Sequence, residues 1–305
     1  MRKGKGENMK RWIPVLGLIL CLNLFAGCAG ESSAETNTAE GGGSIIMEQE
    51  RGSSDVSHTD GEESAAEPAA AQEETSITCR VIYAGDLADK DNGMLLLAKE
   101  DGNSGDVYRV GLSSVSVIGE NGNEISGDEI KSGSMLEVVF NGNIEETFPA
   151  ELGGVTEIRV REGEFDDLCN LYLNVLEDLW EVDSGLNSDI TMAGMDLSGT
   201  SLSPAEQSAV SWHFGEIHGL EMIQGTFEEL REWGYIDKDE LYFEDGCLFS
   251  ITEKGTEEKE GEREITFEAE KWRSGLGAYY FLDCTSRQNK TGQWEMYERG
   301  ADAIA

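Results

Sequence analysis

From Ser76 onward the chain is written in short alternating runs. Ile77, Cys79, Val81 and Tyr83 alternate with Thr78, Arg80 and Ile82, the pattern of a half-buried strand. Similar runs follow at Met94–Ala98, Val107–Val110, Val115–Ile118, Met135–Phe140 and Val155–Val160. Between them lie turn-rich pieces, Asp101-Gly102-Asn103, Asn121-Gly122-Asn123 and Asn141-Gly142-Asn143. The stretch from Gly122 to Gly133 predicts a turn and a single helical turn. Short, regularly spaced strands with Gly/Asn turns predict a small antiparallel barrel or sandwich over residues 76–161.

The period then changes. Phe165, Leu168, Tyr172, Val175, Leu176 and Leu179 recur at three- and four-residue steps, the stripe of an amphipathic helix. Ser203-Pro204-Ala205-Glu206 opens a second helix: Ser at the cap, Pro in the first turn, Glu three residues after the cap. Thr226 and Glu229 form the same box before a third, short helix, and Gly234 ends it in a left-handed turn. Strand-like runs return at Cys247–Ile251, Ile265–Trp272, Ala278–Leu282 and Gln293–Tyr297. The acidic segment Glu253–Glu264 reads as the link between the first two. Residues 162–305 are therefore expected to form an α+β domain with helices packed on an antiparallel meander. A cystatin- or nuclear-transport-factor-like cone is an analogy for it.

The only long apolar run is at the other end. Residues 1–11 hold five cations against Glu7; Trp12–Phe25 is apolar, and Ala26-Gly27-Cys28 follows. This is the layout of a secretory signal, with an apolar part too short to span a bilayer. Phe25-Ala26-Gly27-Cys28 resembles the lipobox of bacterial lipoproteins, with Phe25 where that family usually has Leu. The resemblance implies cleavage after residue 27, diacylglycerol (palmitate-type chains) on Cys28, and attachment to the outer face of the cell membrane. Two acyl chains are enough to hold a protein there. Residues 28–75 are Ser, Glu, Ala, Gly and Thr with few large apolar side chains, the composition of a disordered acidic linker. His58 falls within it.

Charge sharpens the picture. The 305 residues carry 61 Asp and Glu against 23 Lys and Arg, a net charge of −38. Removing residues 1–27 takes away five cations and one acid and leaves −42. Such a chain lacks the clustered cations that nucleic-acid backbones require, and anionic lipid repels it. Membrane attachment therefore falls to the acyl chains.

A second resemblance covers residues 76–161. A β-hairpin is followed by Glu124-Ile125-Ser126 and Ile130-Lys131-Ser132-Gly133. Val138-Val139-Phe140-Asn141-Gly142, Thr147-Phe148-Pro149-Ala150 and Val155-Thr156-Glu157-Ile158 come next. This order is similar to small β-barrel domains of unknown function in secreted Gram-positive lipoproteins. It implies an OB-like fold and transfers no catalytic residue. Leu171-Tyr172, Glu177–Trp180 and Lys271–Tyr279 resemble an uncharacterised C-terminal module of such lipoproteins.

Candidate chemistry is sparse. Beyond Cys28 the predicted mature chain has Cys79, Cys169, Cys247 and Cys284, and outside the cell an even count invites disulfides. Cys247 and Cys284 both fall in the meander and are the candidate pair, with separate buried thiols as the alternative. No CxxC is present, so a zinc ribbon or a thioredoxin-like site is excluded. His213 and His218 are five apart, about 500° around a helix, and diverge by about 140°, so they do not make a metal pair. Asp89–Gly93 and Asp101–Asp106 read as tight turns rather than calcium loops. Trp272-Arg273, before the Gly275-Leu276-Gly277 turn, is the candidate ligand site: Arg273 with Trp272 and Tyr279 would clamp a carboxylate or stack on a planar group. The competing reading has Arg273 bridging an acid such as Asp283 or Glu270. No cofactor and no metal is called for. The expectation is a membrane-anchored, extracytoplasmic binding or scaffolding module for a peptide, glycan or protein, with an envelope-directed hydrolase as the alternative.

Overall fold

The structure, a computed structural model, describes residues 74–85, 87 and 93–305. Cys28, the signal-like segment, nearly all of the 28–75 linker and residues 88–92 lie outside the described residues. The described residues belong to one compact unit.

Eight strands form the first sheet. They are β1 (Thr75–Gly85), β2 (Met94–Lys99), β3 (Val107–Gly111), β4 (Ser116–Ile118), β5 (Met135–Phe140), β6 (Ile144–Glu145), β7 (Ala150–Leu152) and β8 (Glu157–Val160). A single 3₁₀ turn at Gly127–Glu129 lies where the sequence placed it. The spatial order is β4-β8-β5-β1-β2-β3-β7-β6. One face of every long strand contributes to one cluster: Cys79, Val81, Leu95, Leu97, Tyr108, Leu136 and Ile158 meet there. The hydrogen-bonded order is open between β4 and β6, so the sheet is not a closed barrel. Nor is it purely antiparallel, because β3 pairs with β7 and β4 with β8 in parallel.

The second half is mixed α+β. It runs α1 (Leu168–Glu181), β9 (Met192–Gly199), α2 (Pro204–His218), β10 (Glu221–Gln224), α3 (Phe227–Trp233), β11 (Gly246–Lys259), β12 (Glu262–Ser274), β13 (Gly277–Gln288) and β14 (Ala301–Ile304). Both capping boxes form as their spacing requires, and Gly234 sits at φ 89°. The sheet order is β10-β9-β11-β12-β13-β14. Only β11 to β14 make the expected antiparallel meander; β9 runs parallel to both β10 and β11. The acidic stretch read as a link is instead a continuation of β11 into a long ribbon, with Glu257 opposite Glu264 and Glu258 opposite Arg263. Charged side chains are tolerated there because most of this end of β11 faces water. Gln293–Tyr297 is not a strand: it touches β13 through isolated bridges such as Gln288–Trp294.

The two halves share a core. Leu95 and Leu97 enter the first cluster, whereas Leu96 and Ala98 point the other way. They meet Ala205, Ala209 and Phe214 of α2 and Phe249 and Phe267 of the second sheet in one continuous cluster. A bulge between Val81 and Tyr83 lets Ile82 join them. On the far face of the second sheet, Leu230 of α3 packs with Phe243, Leu248 and Trp272.

Candidate functional site

The proposed clamp is taken apart by strand geometry. Successive strand residues face opposite ways, and Trp272 goes into the cluster under α3, edge-on to Phe227 at 4.8 Å. Arg273 reaches the other way: its Nη1 donates to Leu186 O (3.1 Å) and Ser188 O (2.8 Å), and its Nη2 to Glu244 O (3.1 Å). The guanidinium lies 5.7 Å from the Tyr242 ring centre, and its Nε is buried without a partner. Tyr279 donates to Asp302 Oδ2 at 3.0 Å. These three residues do not converge on a shared cavity. Arg273 ties the loop after α1 to the meander through carbonyls, rather than through Asp283 or Glu270.

Two residues earlier on β12 sits a group the sequence did not flag. Lys271 is wholly buried. Its ammonium donates to the carbonyls of Trp180 (3.4 Å), Val182 and Asp183 (3.2 Å) and to Asn187 Oδ1 (2.9 Å). It closes the C-terminal end of α1, where carbonyls lack helical partners and the helix dipole favours a cation. Burial lowers its pKa from the ordinary lysine value.

Among the described residues the four cysteines, Cys79, Cys169, Cys247 and Cys284, are free and buried. Leu248, beside Cys247, pairs with Trp272, whereas Cys284 pairs with Phe267 on the same central strand. The two thiols therefore lie on strands flanking β12 and about six residues apart along it, roughly 20 Å, beyond the reach of a disulfide. Burial pushes the pKa of Cys79, Cys247 and Cys284 up to about 12 each and that of Cys169 well above its ordinary value. The two histidines separate as their spacing requires. His213 packs against Tyr83, with ring centres 4.1 Å apart, and burial lowers its pKa to about 4. His218 stacks on Trp180 at 4.0 Å and bonds to Glu177 Oε1 at 3.0 Å. Among the described residues no cluster of three His, Cys, Asp or Glu side chains is placed to hold a metal.

Polar groups do converge where the first sheet meets the second half. Arg80 on β1 pairs with Glu206 at the start of α2 (Nε–Oε1 3.0 Å) and donates Nη1 to Gly133 O and Glu164 O, both at 3.1 Å. Asp166 Oδ1 accepts from Trp294 Nε1 at 2.8 Å, while Asp166 Oδ2 receives Arg263 Nη1 at 3.3 Å. The Arg263 guanidinium lies 5.3 Å from the Trp294 ring centre. Asp167 Oδ1 takes the Trp294 backbone N–H at 2.7 Å, and burial raises the Asp167 pKa. The 289–293 turn presses on the chain at Phe165 so closely that a Cβ on Gly292 (φ +86°) would lie 1.8 Å from Phe165 O. Only glycine fits that position.

This contact separates two grooves, and Gly163, Phe165 and Thr291 line both. One, about 720 Å³, is edged by Asn121, Ile125, Lys131, Ser134, Val160 and Gln293. The other, about 510 Å³, is edged by Arg80, Asp166, Arg263 and residues 289–292. Their linings are rich in hydrogen-bonding groups, with Ile125, Val160 and Phe165 the apolar members of the first and Met135 and Phe165 those of the second. Cys169, which lines a neighbouring cavity with Arg80, Asp166 and Glu206, has its pKa raised well above the ordinary value by burial and by the Glu206 carboxylate. The sequence signal for this junction was the scarcity of cations: Arg80 and Arg263 are two of only 23.

Comparison with known proteins places the chain beside none of them: no family model matches, and neither a curated protein nor a solved structure is significantly similar.

Proposed function

We propose that the chain is a lipid-anchored extracytoplasmic protein whose folded part binds or scaffolds a partner at the outer face of the cell membrane. The observation that carries this reading is the sequence Phe25-Ala26-Gly27-Cys28 behind a cationic start and a 14-residue apolar run. The −42 of the mature chain supports attachment through acyl chains, since a body so charged does not adhere to anionic lipid. Binding is favoured over envelope hydrolysis because the junction grooves offer amides and hydroxyls beside ion pairs that already engage each other. The ligand class is a peptide, glycan or neighbouring protein. The first sheet, curled around one cluster, is an opened variant of the OB-like barrel that the resemblance implies.

The test is a mass measurement of the full-length protein expressed in its own cells. The expected product lacks residues 1–27, carries a diacylglycerol adduct and partitions with membranes; Cys28→Ser abolishes the adduct and the partitioning. Recovery of an uncut, unmodified wild-type chain in the cytosol overturns the reading.

A further inference from the structure

The two junction grooves meet at one aromatic ring. Gly133 O accepts from Asp166 N at 3.0 Å, which sets Phe165 beside Ser134. From the other side the 289–293 turn closes on Phe165 at Gly292, and Gln288 Nε2 holds that turn by donating to Gly292 O at 2.9 Å. Ser134, Phe165, Gly292 and Gln288 thus form one row of contacts. Ser134 lines the first groove, Gln288 the second, and half-buried Phe165 both.

The two polar side chains of that row are buried and only half used. Ser134 is 7% exposed; its Oγ accepts from Lys131 N at 3.3 Å, and its O–H has no acceptor among the described residues. Gln288 is also 7% exposed, and its Oε1 receives no hydrogen bond among the described residues. Groups left in this way cost free energy until water or a ligand pairs with them. One needs an acceptor and the other a donor, and a hydroxyl serves as either. Charge narrows the choice. In the first groove Glu120, Glu129 and Glu162 outnumber Lys131, which disfavours an anion. In the second, Arg80, Arg263 and Lys290 balance Glu100, Glu164 and Asp166, so a cation gains little. None of the edge strands β4, β6, β10 and β14 lines either groove, so a peptide has no ladder to extend. The electron-rich face of Phe165 suits the C–H face of a sugar ring.

We propose that the paired grooves bind a neutral oligosaccharide that crosses Phe165, with one ring on the aromatic face and hydroxyls reaching Ser134 and Gln288. The proposal rests on the binding reading above, for which it names the ligand class, and it does not depend on the lipid anchor.

The experiment is a calorimetric titration of the full chain with cellotetraose, chitotetraose and maltotetraose, set against the uncharged peptide N-acetyl-tetraalanine amide. Saturable one-to-one binding of at least one oligosaccharide is expected, with an affinity that added salt leaves unchanged. Phe165→Leu, which keeps an apolar contact but removes the aromatic face, should weaken it about tenfold or more, and Ser134→Ala about fivefold. Glu257→Gln, on the remote ribbon, should leave it unchanged. If Phe165→Leu fails to fold, as a thermal melt would reveal, Gln293→Ala, an exposed side chain of the first groove, takes its place with a loss of about fivefold. Failure of all three oligosaccharides to bind overturns the proposal, as does wild-type affinity in folded Phe165→Leu and Ser134→Ala variants. Binding of the peptide alone, lost in the same variants, overturns the glycan and leaves the binding reading standing.

Discussion

Among the described residues, two of the places that bury polar groups do it differently. At the corner under α1, a single cation, Lys271, serves four oxygens, three of them backbone carbonyls. At the junction of the two halves, carboxylates and arginines pair with each other and with Trp294, half open to water. The corner's acceptors are backbone carbonyls and one amide, whereas the junction is built from ion pairs, with Asp167, whose pKa burial raises, held by the Trp294 backbone N–H. The contrast teaches that the corner fixes the end of α1 with one buried cation, whereas the junction joins the two halves through paired charges.

The largest effect expected is at the corner. Lys271→Met keeps the length of the side chain but leaves the carbonyls of Trp180, Val182 and Asp183 without their donor, a loss of about 3 kcal/mol or more. Urea unfolding at neutral pH measures it, and a loss below about 1 kcal/mol would erase the distinction between the two regions. Next comes acid. The His213 pKa of about 4 in the fold lies below the ordinary histidine value of 6.5. The unfolded chain therefore takes up a proton that the folded chain refuses, and stability present at neutral pH declines as the pH falls from 6.5 toward 4, by about 3 kcal/mol at most. His213→Phe should flatten that part of the decline, read as the difference between the two proteins at pH 7 and pH 4.5. The smallest effect is that of Trp294→Phe, which keeps the ring against Arg263 but removes the donor to Asp166. About 1–2 kcal/mol is expected in the same unfolding assay.

What the sequence disclosed followed from local rules. Ser203-Pro204 with Glu206, and Thr226 with Glu229, name helix starts because the capping partners are three residues apart, and both boxes form. Strands β2, β3 and β5 were legible as apolar runs between Gly/Asn turns. β9 was not. Met192–Gly199 contains two glycines and shows no clean alternation, because it is a central strand covered on both faces. The ribbon through Glu253–Glu264 hid behind its charge, since solvent-facing strand residues need not be apolar. At the site level, Arg273 was legible as unusual but not in what it does, because its partners are carbonyls 85 and 87 residues away in sequence. Lys271 gave no signal at all: a lone lysine in a strand reads as a surface residue, and only the arrival of the α1 terminus makes its burial favourable. The junction needed residues 80, 166, 206, 263 and 294 to meet, and no local pattern encodes that meeting.

The middle position of β1 carries a mechanical consequence. Its first residues are zipped to β5, from Thr75 opposite Phe140 to Arg80 opposite Met135, and its later ones to β2, from Cys79 opposite Lys99 to Gly85 opposite Met94. A tug on the chain upstream of Thr75, directed along the strand, meets these two ladders lengthwise, so that many bonds must shear together instead of peeling one after another. A protein tied to a surface by that end would yield last at the point where the tension enters.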